Sequence, residues 1–517
     1  MKRRTKKYIY RWVILAIASG IILFLATDKW LESKELTSNY NLFSLVPANC
    51  EAILETSNIT SVCREIDKSE YKNEYKSLKI SELFSYISSD LNSITGNHAH
   101  GISAKMSHLV VSFHTPGDID DQVIYFRLGK NDRDFMEGIL TKNNHTSFPP
   151  KEIAYRDENI TVYPLNDEKF LAVFCKDRFA AISFHEKLIE NVIDTYKDRR
   201  LSVENNPEFR QLTHREKLEG NLTLYFKSNN IYSYLSSNYS FKKYPVQSSE
   251  KWNVMDLKFT PRDIYLTGFN KENLSSSSSS MQPSGATSGN AEPSNLVVPH
   301  TLPEGLCTYS QFDVSRFPSI YRMMTHNPRE ALPAAPADKN MLEWLLTHTK
   351  EVNLIQFAPV ASDSLHTVMV LPVTCQDAVP IGMNTGKGGL SSVRDCDLLQ
   401  PFFPAGNPEI LFLRKKDVVI ASDKLESIEL YTRETVQPQE NEESRLLRSQ
   451  IGELSDKSSL TYASNLEMAA KKLATNPVLI PPFIFKYSEF FRHFNFAIQF
   501  VDVQGLLSTN ISFKYKG

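Results

Sequence analysis

KDRFAAISFHEKLIENV (176–192) and KKDVVIASDKLESIEL (415–430) decide how this chain is organised. Each stretch runs from a basic turn into a short apolar strand, a small polar residue and a helix carrying a Lys-Leu pair. Strand alternation gives way to helical spacing at the same point in both. Ser183 with Glu186, and Asp423 with Glu426, have the separation of a capping box. Aligning Lys187-Leu188 with Lys424-Leu425 predicts that the two leucines share one buried position.

The likeness extends outward from these stretches. LVPANCEAILETSNITSVCREI from Leu45 matches LPEGLCTYSQFDVSRFPSIYRM from Leu302. Strand pairs follow at 108–128 and 352–373, and further strand-to-helix segments at 222–230 and 459–466. Hairpins close both halves, one turning at Pro261-Arg262-Asp263 and the other near Gln504-Gly505. Matched blocks in one order imply a duplicated unit. Its mixture of hairpins and helices predicts an α+β fold with mainly antiparallel sheet in each half. Ser-, Gly- and Pro-rich residues 272–298 read as the linker between repeat 1 (45–271) and repeat 2 (299–517).

Ahead of the repeats, Lys2, Arg3, Arg4, Lys6, Lys7 and Arg11 form a basic segment over 1–11, followed by uncharged WVILAIASGIILFLAT at 12–27. That pattern predicts a transmembrane helix serving as an uncleaved signal anchor, with a cytoplasmic N-terminus, a juxtamembrane segment at 28–44 and the body outside the cytoplasm. Phe24 in Phe24-Leu25-Ala26 disfavours a cleaved signal peptide. Setting the six basic residues aside leaves 52 Lys+Arg against 60 Asp+Glu, a body of about −8. An acidic body argues against nucleic acid as a partner.

Motif searches assign no catalytic, cofactor-binding or metal-ligating residue. In IGMNTGKGGLSS (381–392), Gly382 and Gly386 are too close and Lys387 precedes Gly388, so the Walker A requirement fails twice. His98, His100 and His114 lack further ligands at zinc spacing, and His185-Glu186 lacks the second histidine of a zincin. Ser248 to Lys251 is a Ser-x-x-Lys match in a polar loop, and no nucleophile elbow occurs. Cys375 and Cys396 flank one loop and are the best candidate disulfide pair among six cysteines. Sequons begin at Asn58, Asn144, Asn159, Asn221, Asn238, Asn273 and Asn510. Ser228-Asn229 and Ser464-Asn465 recur where a strand meets a helix, as N-cap residues do. No other polar constellation shared by the halves is evident.

The basic N-terminus, single apolar span and paired LVPANCEAILE and LPEGLCTYSQF openings resemble the uncharacterised single-pass envelope proteins of Bacteroidetes-type bacteria, a family defined as a domain of unknown function. The resemblance implies an inner-membrane anchor through 12–27 and a periplasmic body, and carries no catalytic residues across; separately, no cofactor is expected. The expected role is a non-catalytic envelope interaction or scaffold protein with envelope proteins or lipids as partners. The alternative is a carrier holding a lipid or other apolar ligand between the halves, with an envelope hydrolase ranked behind both.

Overall fold

The computed structural model describes residues 40–74, 108–114, 121–129, 132, 148–164, 170–214, 222–227, 252–270, 294–295, 302–324, 332–359, 364–373, 384–385, 390–403, 406–436, 442–455, 457–472, 484, 488–503 and 506–517. They fall into two compact units, one drawing on 1–60 and 80–220, the other on 61–79 and 221–517.

The first unit carries β1 (Ala52–Thr56), β2 (Leu109–Phe113), β3 (Gln122–Arg127), β4 (Lys151–Tyr155), β5 (Glu158–Pro164), β6 (Phe170–Lys176) and β7 (Phe179–Ser183). Their antiparallel ladders give the path β1-β2-β3-β7-β6-β5-β4. The second unit opens with β8 (Leu222–Lys227), β9 (Trp252–Phe259) and β10 (Asp263–Asn270). A short strand β11 (Ser294–Asn295) follows, then β12 (Leu306–Asp313), β13 (Glu351–Phe357), β14 (His366–Pro372), β15 (Asn384–Thr385), β16 (Leu390–Arg394), β17 (Glu409–Lys415) and β18 (Val418–Ser422). The last strands are β19 (Lys457–Ser458), β20 (Leu460–Asn465), β21 (Phe494–Val503) and β22 (Leu506–Tyr515).

Within the second unit, β12-β13-β14-β18-β17-β16-β15 repeats the strand path of the first. On the other side of β12 the ladder continues through β20-β21-β22-β10-β9-β8. The three-strand meanders β8-β9-β10 and β20-β21-β22 therefore meet edge to edge, with Asp263 opposite Lys514 and Asn270 opposite Leu507 at the two ends. Segment β11 pairs with β19, which places Ser294 and Asn295 of the linker in a two-residue ladder; residues 272–293 and 296–298 lie outside the described residues.

The twelve-residue helices Glu186–Lys197 and Leu425–Val436 follow β7 and β18. Each preceding strand ends in a serine that fixes the turn. Ser183 Oγ donates to Gln122 O (2.8 Å) and accepts from His185 N (3.1 Å). Ser422 Oγ donates to Thr367 O (2.7 Å) and accepts from Lys424 N (3.3 Å). The equivalent serines are thus 183 and 422, not Ser183 and Asp423. Neither hydroxyl is an N-cap: His185 occupies that position and makes no side-chain cap bond. Counting from the serines, Ile189 matches Ile428 and Val192 matches Tyr431, all buried, whereas Leu188 matches Ser427. Leu425 matches Glu186 and is 43% exposed, which corrects the Leu188–Leu425 equivalence.

The α+β expectation with a leading transmembrane helix is also corrected. Every strand ladder among the described residues is antiparallel sheet, and helices are the minor component. Runs of five to ten extended residues dominate because apolar alternation recurs through both halves. No helix among the described residues is long and apolar enough to cross a membrane, against the transmembrane-helix and signal-anchor reading. The longest, Pro336–His348, has 13 residues and so spans only about 20 Å, against about 30 Å of bilayer hydrocarbon. Residues 1–11, 12–27 and 28–39 lie outside the described residues.

Candidate interaction surface

Strand pairing assembles a polar row that runs across the second unit, perpendicular to the chain. Thr223 stands opposite Asp256, Asp256 opposite Thr267, and Thr267 opposite Asn510. Asn510 then faces Gln499, Gln499 faces Thr461, Thr461 faces Gln311, and Gln311 faces Asn353. Directly opposed residues share a sheet face, so these eight side chains form one line about 4.8 Å apart from strand to strand. The line ends at Val370, opposite Asn353.

One arm of the row is buried and internally bonded. Gln499 is clasped by the backbone of Ser455, whose N–H donates to Oε1 (2.9 Å) and whose carbonyl accepts from Nε2 (2.7 Å). Gln311 Nε2 donates to Glu351 Oε2 (2.8 Å), and Tyr309 OH donates to Asn353 Oδ1 (2.8 Å). Helix Glu442–Gly452 covers this arm, and its buried Gln450 Nε2 donates to Ser512 O (2.9 Å). Burial pushes the Glu351 carboxyl above the usual range, against the hydrogen bonds from Asn353 and Gln311, and raises the Tyr309 phenol well above its ordinary value.

The middle of the row is open. Thr267 is exposed, Asp256 and Asn510 are half-buried, and Lys258 is exposed two residues along β9. Beside them Lys514 forms an ion pair with Glu453, and Tyr265 OH lies 3.5 Å from Glu453 Oε2. Burial raises Asp263, next along this face, despite the Lys514 ammonium, and pushes Tyr265 up to about 12. This surface offers neutral and balanced-charge hydrogen-bonding groups on a rigid ladder.

The halves share a polar constellation that sequence reading missed. Stepping across paired strands from Ser183, Ala181 leads to Tyr125, Val110 and Glu55. The same steps from Ser422 lead from Ile420 to Val370, Asn353 and Gln311. Glu55 lies 3.6 Å from His108, where Gln311 bonds Glu351, so each half places a diagonal polar pair at one sheet position. Because the residue types differ, the two pairs look unrelated in the sequence.

The histidines fall into structural settings. His366 Nδ1 is 3.0 Å from Ser427 Oγ, but both residues are fully buried, which denies a substrate access to the hydroxyl. His114 Nε2 is 2.8 Å from Ser112 Oγ, itself fully buried and 3.1 Å from Tyr125 OH. His98, His100, Ser248, Lys251, Ser228 and Asn229 lie outside the described residues. Among the described residues, no group of three or more His, Cys, Asp or Glu side chains could hold a metal ion. Cys396 is a free buried thiol, pushed up to about 12 chiefly by burial; Cys375 lies outside the described residues. Of the loop at 381–392, Asn384–Thr385 form β15 beside β16. Asn465 Oδ1 caps helix Leu466–Lys472 by accepting from Glu467 N (3.1 Å), while Ser464 Oγ donates to Cys307 O (2.9 Å).

No family model matches the chain, and no curated protein matches it. A solved structure titled "Structure of crystal form I of TP0453" is similar over 45% of this chain and 79% of that one, at 12% identity and a TM-score of 0.26. A similarity of that size defines neither fold nor function.

Proposed function

We propose that this chain is a non-catalytic interaction protein that presents the open stretch of its polar sheet face to an envelope protein partner. The observation that supports the reading is the continuous row from Thr223 to Asn353, exposed at Thr267 and bonded internally toward Asn353. A ladder whose buried arm is held by its own side chains keeps the open arm pre-organised, so little ordering entropy is lost on binding. A photo-cross-linking residue placed at Lys258 in cells tests it. The reading expects one discrete protein adduct that is lost with Thr267→Arg and Asn510→Arg, while the melting temperature of the purified chain holds. An adduct unaffected by both substitutions, or adducts spread over many proteins, contradicts it.

A further inference from the structure

In both halves an imidazole ties the first turn of a helix to the strand beside it, buried in the second half and half-exposed in the first. Asp121 and His366 are equivalent positions, each preceding the residue whose carbonyl accepts from Ser183 or Ser422. In the second half His366 opens β14, fully buried, with Nδ1 3.0 Å from Ser427 Oγ in helix Leu425–Val436. Its Nε2 is buried without a hydrogen-bond partner, and the Phe357 ring of β13 lies 5.5 Å away. Lys424 and Glu426 are the charged residues acting on it, from the helix start, while Phe357 and Thr367 on the strands are neutral. In the first half the imidazole sits on the other partner: His185, just before helix Glu186–Lys197, places Nε2 3.4 Å from Asp121 Oδ1 at the half-exposed surface.

We propose that acid loosens the buried strand–helix tie of the second half, with the half-exposed tie of the first half as its internal reference. Protonated His366 would be a cation in an apolar setting at the positive end of a helix, with an N–H at Nε2 that finds no buried acceptor. Burial already holds this imidazole below its ordinary range.

Hydrogen exchange with peptide-level mass spectrometry on the full chain tests this, between about pH 7.5 and about pH 5.5, with intrinsic rates corrected. Protection of 425–436 is expected to fall at least about threefold in acid, and by more than that of 186–197. His366→Asn removes the acid response of 425–436, and the surface variant Asp121→Asn leaves that response in place. Helix 425–436 keeping its protection in acid, or both helices losing it in parallel, would overturn the proposal.

Discussion

Helices 186–197 and 425–436 have the same length and start the same distance after a strand-ending serine, yet Leu188 is buried and Leu425 is exposed. The difference shows what sets equivalence in a duplicated fold. A Lys-Leu pair repeats by chance of composition, whereas the hydroxyl that ties β7 to β3 and β18 to β14 repeats because it fixes where the helix can begin. Ile189 and Ile428, both fully buried, are the matched core positions.

The largest expected effect sharpens that contrast. Ile189→Ala and Ile428→Ala should each cost about 2–5 kcal/mol, from lost transfer energy plus the cavity left behind. Leu425→Ala should stay within about 0.5 kcal/mol, as exposed positions do. Chemical denaturation of the three variants measures this, and a costly Leu425→Ala would restore the alignment through the Lys-Leu pairs.

A middle-sized effect separates the two halves at the strand position beside the diagonal pairs. Tyr309→Phe leaves Asn353 Oδ1 without its buried donor and should cost about 1–3 kcal/mol. The first half has Ile53 at the matching strand position, so it has no equivalent loss to suffer. Thermal melts of Tyr309→Phe check it, and an unchanged melting temperature would show that the Asn353 bond contributes nothing net.

The pH effects are smaller and opposite in sign. Glu351 has its folded value raised by burial, so the unfolded chain releases this proton first as pH climbs. Stability should therefore fall as pH rises from the ordinary glutamate value through the raised folded one, and Glu351→Gln should flatten that slope. His366 is held low in the fold, so its contribution is present above the ordinary imidazole value and is lost as pH falls below it. Denaturation midpoints across pH for wild type, Glu351→Gln and His366→Asn separate the two contributions.

Much of the strand pattern could be read in advance because alternation and turn residues are local signals: the hairpin at Pro261-Arg262-Asp263 links β9 to β10 as expected. The balance of classes is harder to read, because a few stretches of helical periodicity stand out as strongly as many short strands. The polar row was illegible for a different reason. Thr223 and Asn353 are separated by the whole middle of the chain, and only the register of eight strands brings Asp256, Thr267, Asn510, Gln499, Thr461 and Gln311 into line between them. Each residue alone reads as an ordinary polar strand position.

The junction of the two meanders carries both the continuity of that row and the meeting of the halves' last strands, so it is where a single measurement bears hardest. Thr267 and Asn510 are register partners, and opposed antiparallel residues lie about 4.5–5.5 Å apart at Cα, within disulfide reach. In the double variant Thr267→Cys with Asn510→Cys, peptide mapping under non-reducing conditions should recover a cross-linked 267–510 peptide. The control Thr267→Cys with Ser512→Cys, displaced by two residues, should not cross-link comparably. Free thiols at both 267 and 510, or preferential linkage in the displaced pair, would contradict the register on which the row and the proposed surface depend.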